Sequence, residues 1–364
     1  MVIASVFFLQ AGNGLQTDLI GIRADMEAFP AAVIGLMMAA YYAGYTLAPL
    51  AGRQAIGHLG HTRAIVLCAI AAGAVIAVHP LAVTAPAWTA FRFASGFVLS
   101  LAYVGYESWI NDRVPNALRG RVFSLYLVAQ MVAATLVQGL LNFGDARTAG
   151  PFLLAAVLFV LAAAPIAPAR APVGAPPKPL GIPKLFRLSP LGTGATALAG
   201  LSWAIVFTFG PIYARHVGFQ VGGVGLFMGL AMAAGAALQL PLGWLSDIVG
   251  RRPVLALMFG GGLLAALFGI WAGDHGRTAN LVAIALAGGF TFPIYAVAVA
   301  HVNDSIAPDT RVAAAAGLVL LFGLGSLFGP LLTGWAMTAA GTAGFFALIA
   351  AAMAAGAALV AAGR

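Results

Sequence analysis

Among the ionisable side chains within the long apolar runs of this chain, three stand out: Asp18, Arg92 and Glu107. If these runs cross a membrane, a charge near the bilayer centre costs about 2.5–3.5 kcal/mol even on a lenient insertion scale, so such residues usually have a function. A buried carboxyl group can take up and release a proton, and a buried guanidinium can bind an anion. Proton exchange and anion binding are therefore the chemistries that these residue types favour.

Arg92 begins the segment "RFASG" and lies about 7–8 Å inside the outer end of its run at the helical rise. Asp18 lies about 6 Å inside the outer end of the first run, so the matching depths predict that the two residues can form an ion pair. Three interpretations stay open for Arg92. It binds an anionic solute or tunes a neighbouring proton carrier, it forms a purely structural pair with Asp18, or it snorkels to the outer surface.

Glu107 follows Arg92 by fifteen residues, which is about 22 Å along a helix and too far for an ion pair. Arg92, Gly96, Leu99, Tyr103 and Glu107 share one helical stripe. A carboxyl group at the inner end of this stripe is a candidate for proton exchange. The alternative is a structural tether to a basic residue of the following loop: Arg113, Arg119 or Arg121.

Weaker candidates for contact with a solute are other polar or aromatic residues within the apolar runs. They are Gln10, Asn13, Thr17, Tyr41, Tyr45, Gln130, Gln138, Trp203, Phe207, Tyr295 and His301. The alternative for each is a contact between helices, worth about 0.6 kcal/mol on average. The imidazole of His301 titrates near neutral pH, but this residue is also close to the predicted inner surface, where a solvated histidine is ordinary.

The composition indicates that the solvent of this chain is lipid. Of its 364 residues, 8% are charged and 62% are hydrophobic, whereas about a quarter of the residues of a soluble domain are charged. In a soluble protein the net charge of +8 would suggest nucleic-acid binding. Here basic residues kept on the cytoplasmic side of a membrane explain it, and no nucleic-acid partner is expected. Cys68 is the only cysteine, which excludes an intrachain disulfide and favours a packing role.

Polar residues and Pro/Gly punctuation divide the chain into twelve apolar runs, each near the roughly 20 residues that a spanning helix needs. These runs are 2–22, 31–52, 63–83, 86–110, 120–143, 149–167, 190–214, 221–245, 253–272, 279–301, 312–338 and 341–362. Open strands have no hydrogen-bonding partner in lipid, so all twelve are predicted to be helices. The expected fold class is an all-α integral membrane protein with twelve transmembrane helices.

The segment "PARAPVGAPPKPLGIPKLFR", residues 168–187, interrupts this pattern. It is rich in proline, basic and too polar to span, and it is not expected to form a helix. It divides the runs into two groups of six. The predicted domains are an N-terminal six-helix bundle (1–167), a linker (168–189) and a C-terminal six-helix bundle (190–364).

The loops show a strong asymmetry of Lys and Arg, which sets the orientation of a membrane protein. With a cytoplasmic N-terminus, thirteen basic residues lie inside: Arg53, Arg63, Arg113, Arg119, Arg121, Arg170, Lys178, Lys184, Arg187, Arg251, Arg252, Arg311 and Arg364. Four lie outside: Arg23, Arg147, Arg215 and Arg277. Both termini and the linker are therefore predicted to be cytoplasmic. No basic residue precedes Arg23, so a signal peptide is not expected.

The two halves repeat one pattern weakly but in register. "YESWINDRVPNALRGR" ends the fourth run, and "VAVAHVNDSIAPDTRV" ends the tenth. A shift of 192 residues places Asn111 and Asp112 on Asn303 and Asp304. Two polar turns can resemble each other by chance, but their equal position in each group of six favours a repeat. Parallel repeats of six spans are a known design of transporters.

The most charged short connection is "GWLSDIVGRRP", Gly243 to Pro253. Asp247 ends a predicted helix and can meet either the positive start of the next helix or the side chains of Arg251 and Arg252. Gly243 and Gly250 are predicted to permit close helix approach and a tight turn.

The first half carries a weaker version of this connection, "GRQAIGHLGHTRAI". Aligning Gly60 with Gly250 places Gly57 where Asp247 stands in the second half. No charge pair is therefore expected there.

The connection after the eighth run resembles the G-x-x-x-D-x-x-G-R-R motif of the major facilitator superfamily, and the resemblance extends over essentially the whole chain. "RFASG" resembles the family's R-x-x-Q-G motif, with Ser95 in place of Gln. "GHTR" after the second run and "ESWIND" after the fourth resemble the bacterial YcaD-like branch.

This resemblance implies two pseudo-symmetric bundles about a central cavity lined by spans one, four, seven and ten. It also implies a conformational latch formed by the loop residues Gly243, Asp247, Gly250, Arg251 and Arg252. The alternative for the loop is a basic segment that sets topology and has no gating role.

No G-x-x-x-x-G-K-[ST] motif is present and the loops are too short for a nucleotide-binding domain, so a primary pump is excluded. No metal-ligand spacing or nucleophile constellation is present either, so neither an enzyme nor a cofactor is expected. The resemblance implies a secondary active transporter of a small solute across the inner membrane, working as a monomer, with the proton as the expected coupling ion. Two alternatives remain: a sensor or assembly factor on the same fold, and a drug/proton efflux antiporter. Efflux is less favoured because span five contains no proline.

Overall fold

The computed structural model describes residues 1–51, 58–142, 144–169, 180–307 and 310–362, and all regular secondary structure in these ranges is helical. The α-helices are α1 (Val2–Met26), α2 (Ala31–Ala51), α3 (His61–Val78), α4 (Ala85–Arg113), α5 (Asn116–Val137), α6 (Gly150–Ile166), α7 (Ile182–Leu188), α8 (Pro190–His216), α9 (Val221–Val249), α10 (Arg251–Ala272), α11 (Gly276–Thr291), α12 (Ile294–Asp304), α13 (Arg311–Ala340) and α14 (Ala343–Ala362). Short 3₁₀ segments, His79–Leu81 and Gln138–Asn142, extend α3 and α5.

Each of the twelve predicted runs coincides with one helix or with the consecutive pair α11–α12, which confirms the all-α class. Within the described ranges, nine spans are long and apolar enough to cross a membrane, with α11 and α12 counted as one. α5 and α6 contribute shorter apolar stretches. α1 is as long as the others, but its polar residues make it less apolar.

The linker departs from its prediction at one end. Residues 170–179 lie outside the described part of the chain, but Ile182–Leu188 form α7, so the prediction that this segment contains no helix is wrong there. A proline in the first turn of α7 costs no hydrogen bond, because the first N–H groups of a helix have no partner within it. Leu185 is fully buried against Val302, Ala314 and Leu318, and this apolar contact holds the short helix in place.

The chain separates into two compact units. Unit one contains Met1–Phe29 and Ala40–Pro176, and unit two contains Pro30–Ala39 and Pro177–Arg364. The main division falls within the predicted linker, while the first residues of α2 belong to unit two.

A close crossing of α2 and α4 shapes unit one. A Cβ atom at Gly96 would overlap the carbonyl oxygen of Tyr41, and one at Gly44 would overlap the carbonyl oxygen of Phe93. Backbones approach this closely only where the residue at the contact is very small. The glycine of "RFASG" therefore brings α4 onto α2, and Arg92, one turn before it, comes to lie beside the ring of Tyr41.

Replacing Gly96 with alanine is expected to lower the melting temperature of the detergent-solubilised protein, because the new methyl group would meet backbone rather than a flexible side chain. Overpacking of this kind costs about 1–3 kcal/mol. Gly260→Ala is the matched control, since a Cβ atom there meets nothing within 4 Å. Equal melting temperatures for the two variants, measured by size-exclusion thermostability, would contradict the close crossing.

Candidate functional site

Polar side chains of α1, α2 and α4 form one network inside unit one. The Tyr41 hydroxyl and the Gln16 amide both donate to the Asn13 side-chain oxygen, each at 3.2 Å. The Tyr103 hydroxyl donates to the Gln10 side-chain oxygen. The structure thus brings together Gln10, Asn13 and Tyr103, which the sequence predicted as separate candidates on two helices.

Arg92 is fully buried, with 0% of its surface exposed, so it does not snorkel to the outer surface. None of its three guanidinium nitrogens has a hydrogen-bond partner among the described residues. Its Cζ atom lies 4.3 Å from the centre of the Tyr41 ring, a cation–π contact worth up to about 2 kcal/mol when desolvated. The buried hydroxyl of Ser95, on the next turn of the helix, also lacks a partner in the described part of the chain. The site therefore contains hydrogen-bond donors that this conformation leaves unused.

The predicted ion pair between Asp18 and Arg92 is absent from the described residues. Asp18 is 1% exposed and accepts a hydrogen bond from the Gln138 amide at 2.9 Å. Matching depth does not set the direction in which a side chain points. Asn13 and Asp18 are five residues apart, which turns them about 140° from each other around α1. Asn13 therefore meets Tyr41, whereas Asp18 meets Gln138.

Glu107 lies half-buried near the C-terminal end of α4. It makes no ion pair with Arg113, whose side chain is exposed, and the side chains of Arg119 and Arg121 lie outside the described part. The ring of Tyr126 on α5 lies close enough to interact electrostatically with the Glu107 carboxyl group. Among the described residues, no cation is ion-paired with this carboxyl group.

A series of tyrosine rings runs from Arg92 to Tyr103 on α4. Six of the eight tyrosines of the chain belong to unit one: Tyr41, Tyr42, Tyr45, Tyr103, Tyr106 and Tyr126. Ring centres are 6.1 Å apart for Tyr41 and Tyr45, and 6.3 Å apart for Tyr45 and Tyr103. Tyr42, Tyr106 and Tyr126 were not among the candidates predicted from the sequence. The concentration of tyrosines in the first half of the chain was the signal that could have found them.

Five aromatic rings of unit two form a second cluster, here called the aromatic platform: Trp203, Phe207, Phe292, Tyr295 and Phe322. Trp203 and Phe207 stack with their ring centres 3.9 Å apart. Phe292 lies 5.6 Å from Phe207, and Phe322 lies 5.0 Å from Tyr295 and 6.1 Å from Trp203. All five side chains are half-buried. Trp203, Phe207 and Tyr295 were predicted candidates, whereas Phe292 and Phe322 were missed.

An ionic cluster joins helix ends of unit two. Asp247 forms an ion pair with Arg251, which confirms the predicted contact. Arg251 also pairs with Asp304 at 3.1 Å, so one guanidinium links the end of α9, the start of α10 and the end of α12. Arg252 donates to the Val360 carbonyl at 2.7 and 3.2 Å, which ties α10 to α14. From the sequence, Asp304 was identified only through the repeat between the two halves and not as a partner of Arg251.

His301 lies near this cluster, within electrostatic range of Asp304, Arg251 and Arg252. It is half-buried on α12, three residues before Asp304, which ends the helix. His301 therefore lies beside the ionic cluster. The sequence had predicted only that it lies near the inner surface.

Gly243 and Gly250, the two glycines of the predicted latch loop, have different structural roles. Gly250 has φ of 93°, and its counterpart Gly60 has φ of 76°; both occupy the left-handed region directly before a helix. This shared backbone supports the predicted alignment of the two loops and explains the glycine at each position. The predicted close helix approach at Gly243 is wrong, because a Cβ atom there would meet nothing within 4 Å. Residues 52–57, including Gly57 of the first-half loop, lie outside the described part.

Metal binding has no support in the described ranges, where no group of three or more His, Cys, Asp or Glu side chains could hold an ion. The arrangement consists of a buried cation with unused donors, one buried and one half-buried carboxyl group in membrane helices, and two aromatic clusters. Such groups can bind a solute and exchange protons.

Comparison with known proteins agrees with the motifs. The sequence profile of the Major Facilitator Superfamily matches residues 3–191 and again residues 192–363. The uncharacterized MFS-type transporter YcaD of Escherichia fergusonii is 24% identical over 93% of this chain and 88% of its own length. The YcaD transporter of Salmonella arizonae is 22% identical over the same shares. These matches confirm the predicted resemblance to the superfamily and to its YcaD-like branch.

Two solved structures share the fold. A mutant of the nucleoside transporter NupG superposes with a TM-score of 0.82 at 14% sequence identity, covering 100% of this chain and 99% of that one. The D-xylose-proton symporter superposes with a TM-score of 0.74 at 15% identity, covering 99% of this chain and 95% of that one.

Proposed function

Because this chain belongs to the Major Facilitator Superfamily, we propose that it is a secondary active transporter that moves a small solute across the bacterial inner membrane by alternating access. The observation that carries the proposal is Arg92, a fully buried guanidinium whose nitrogens have no hydrogen-bond partner in the described residues. Burying a guanidinium without hydrogen-bond partners does not stabilise the fold. Its presence is explained if a partner binds it in another conformational state of the protein. That partner is the solute or a carboxylate.

Proton symport is the proposed coupling, and Glu107 and Asp18 are the proposed carriers. Both carboxyl groups lie in membrane helices, and neither is ion-paired within the described part. Ionisable groups in this setting commonly form proton relays in transporters. The D-xylose-proton symporter shares the fold, which makes proton coupling compatible with this architecture.

The proposed architecture is that of the sequence prediction: six-helix bundles 1–167 and 190–364, joined by the linker 168–189, with both termini in the cytoplasm. Thirteen basic residues on the predicted inner side against four on the outer side support this orientation. The proposed functional form is a monomer.

The ionic cluster around Arg251 is the proposed conformational latch. Asp247→Asn is expected to change the melting temperature little, because the Asp247 side chain is 63% exposed and exposed pairs contribute about 0–1 kcal/mol. It is expected to change the rate of solute exchange several-fold while leaving the binding constant unchanged. Asp274→Asn is a matched control, an exposed carboxylate in the loop before α11. Equal exchange rates for the wild type and Asp247→Asn would reduce this loop to a determinant of topology.

Solute counterflow tests the proposal. Purified protein is first screened by thermal shift against metabolites and drugs at two pH values, and compounds that stabilise it are then loaded into proteoliposomes. Transport predicts that an unlabelled solute inside drives transient uptake of the labelled solute. A protein that binds compounds but shows no counterflow with any of them would be a sensor or assembly factor instead.

A further inference from the structure

The tenth span is interrupted beside the aromatic platform. α11 ends at Thr291 and α12 begins at Ile294, with Phe292 and Pro293 forming a turn between them. Proline has no N–H, so the carbonyl of Gly289 cannot receive the helical hydrogen bond that the residue four positions later would donate. Interrupted membrane helices commonly form the solute sites of transporters, because the free backbone groups there need partners.

A buried hydroxyl at this interruption, that of Thr291, lacks a hydrogen-bond partner in the described part of the chain. Gly288, one turn before the interruption, packs so closely on α9 that a Cβ atom would overlap the Ala231 carbonyl oxygen. The break is thus held against a neighbouring helix of the same unit and is not a frayed end.

The platform faces this interruption from two further helices. Phe292 belongs to the turn itself, Tyr295 follows on α12, Trp203 and Phe207 come from α8, and Phe322 comes from α13. Among the candidate spans of the described ranges, α8 is the most enclosed, with 78% of its apolar stretch buried against at most 56% for the others. Its stacked pair Trp203 and Phe207 nevertheless stays half-buried. α8 is therefore largely buried, but it presents the flat rings of Trp203 and Phe207 on a face that is partly exposed.

We infer that the aromatic platform, with the Gly289 carbonyl that Pro293 deprives of its helical donor, binds a solute that carries a planar heteroaromatic ring with an N–H donor. Stacked aromatic side chains recognise the flat faces of such a ring, and the carbonyl accepts from its edge. The five platform side chains are uncharged, so none of them forms an ion pair with the ring. The inference rests on the proposed transport function and narrows its solute class.

The test is equilibrium binding of labelled adenine, uracil, adenosine and uridine to the full-length protein in nanodiscs, with D-xylose as a solute that has no aromatic ring. Loss of one stacking ring typically weakens binding by at least about five-fold. Trp203→Leu and Phe207→Leu are each expected to weaken ring binding by that factor, while Trp203→Phe retains most of the affinity. Trp335→Leu is the control, since this tryptophan is 74% exposed and should not affect binding. Size-exclusion profiles establish that each variant is folded. If Trp203→Leu does not fold, the comparison of Trp203→Phe with Phe207→Leu tests the inference instead.

The outcomes separate this inference from transport itself. Ring binding that is weakened by the two platform variants, and not by Trp335→Leu, supports it. Ring binding that is unchanged in the platform variants overturns it. If none of the ring compounds binds but D-xylose or another non-aromatic solute shows counterflow, transport stands and the ring inference fails. If no solute of either kind is bound or exchanged, both fail.

Discussion

Replacing Arg92 with leucine is expected to raise the melting temperature of the protein and to abolish solute transport. The side chain is fully buried, and its nitrogens have no hydrogen-bond partner in the described residues. An arginine within the bilayer costs about 2.5–3.5 kcal/mol, and the contact with the Tyr41 ring offsets up to about 2 kcal/mol. Leucine removes that cost and fills most of the same volume. With the ring contact at its full value, a net gain of about 0.5–1.5 kcal/mol follows, measured as a rise of a few degrees.

Arg277→Leu is the matched control for Arg92→Leu. Arg277 also lies over an aromatic ring, with its Cζ atom 5.3 Å from the centre of Phe219, but its side chain is exposed. Its replacement is expected to leave both stability and transport nearly unchanged. A lower melting temperature for Arg92→Leu together with intact transport would show that Arg92 is a structural residue.

Glu107→Gln is expected to abolish accumulation driven by a pH gradient and to preserve solute exchange. Glutamine keeps the shape and hydrogen-bonding capacity of the side chain but cannot carry a proton. Coupling through Glu107 therefore disappears, while binding and alternation between states continue. The measurement compares gradient-driven uptake with counterflow in the same proteoliposomes, and accumulation is expected to fall to the level of equilibration.

Asp18→Asn is the companion to Glu107→Gln, because the buried Asp18 is the other proposed proton carrier. It accepts a hydrogen bond from Gln138, and an asparagine at this position can still accept that bond through its amide oxygen. Unchanged gradient-driven accumulation in Glu107→Gln would remove this residue from the mechanism. Loss of accumulation in Asp18→Asn alone would transfer the role to Asp18.

The membrane architecture was readable from the sequence because length and hydropathy decide it. Lipid admits only helices, so apolar runs bounded by Gly, Pro and charge predicted the spans to within a few residues. The Asp247–Arg251 contact was also readable, since residues four apart on neighbouring helix ends must lie close together.

Contacts that depend on helix rotation and on partners far apart in sequence were not readable. Depth alone suggested a pair of Asp18 with Arg92, but the rotation of α1 directs Asp18 to Gln138. Gly243 looked like a packing glycine, yet no neighbour approaches it. The platform needs Phe322 from a helix more than a hundred residues after Trp203, and no local pattern joins the two.

The most direct test of the account is uptake by proteoliposomes under an imposed pH gradient, alkaline inside, for the solutes that stabilise the purified protein in the thermal-shift screen. Proton-coupled secondary transport predicts accumulation above equilibration for at least one solute, and it predicts that a protonophore abolishes this accumulation while counterflow of the same solute survives. Empty liposomes should show neither. Binding without any uptake or counterflow, with or without the gradient, would contradict the claim that this chain is a transporter.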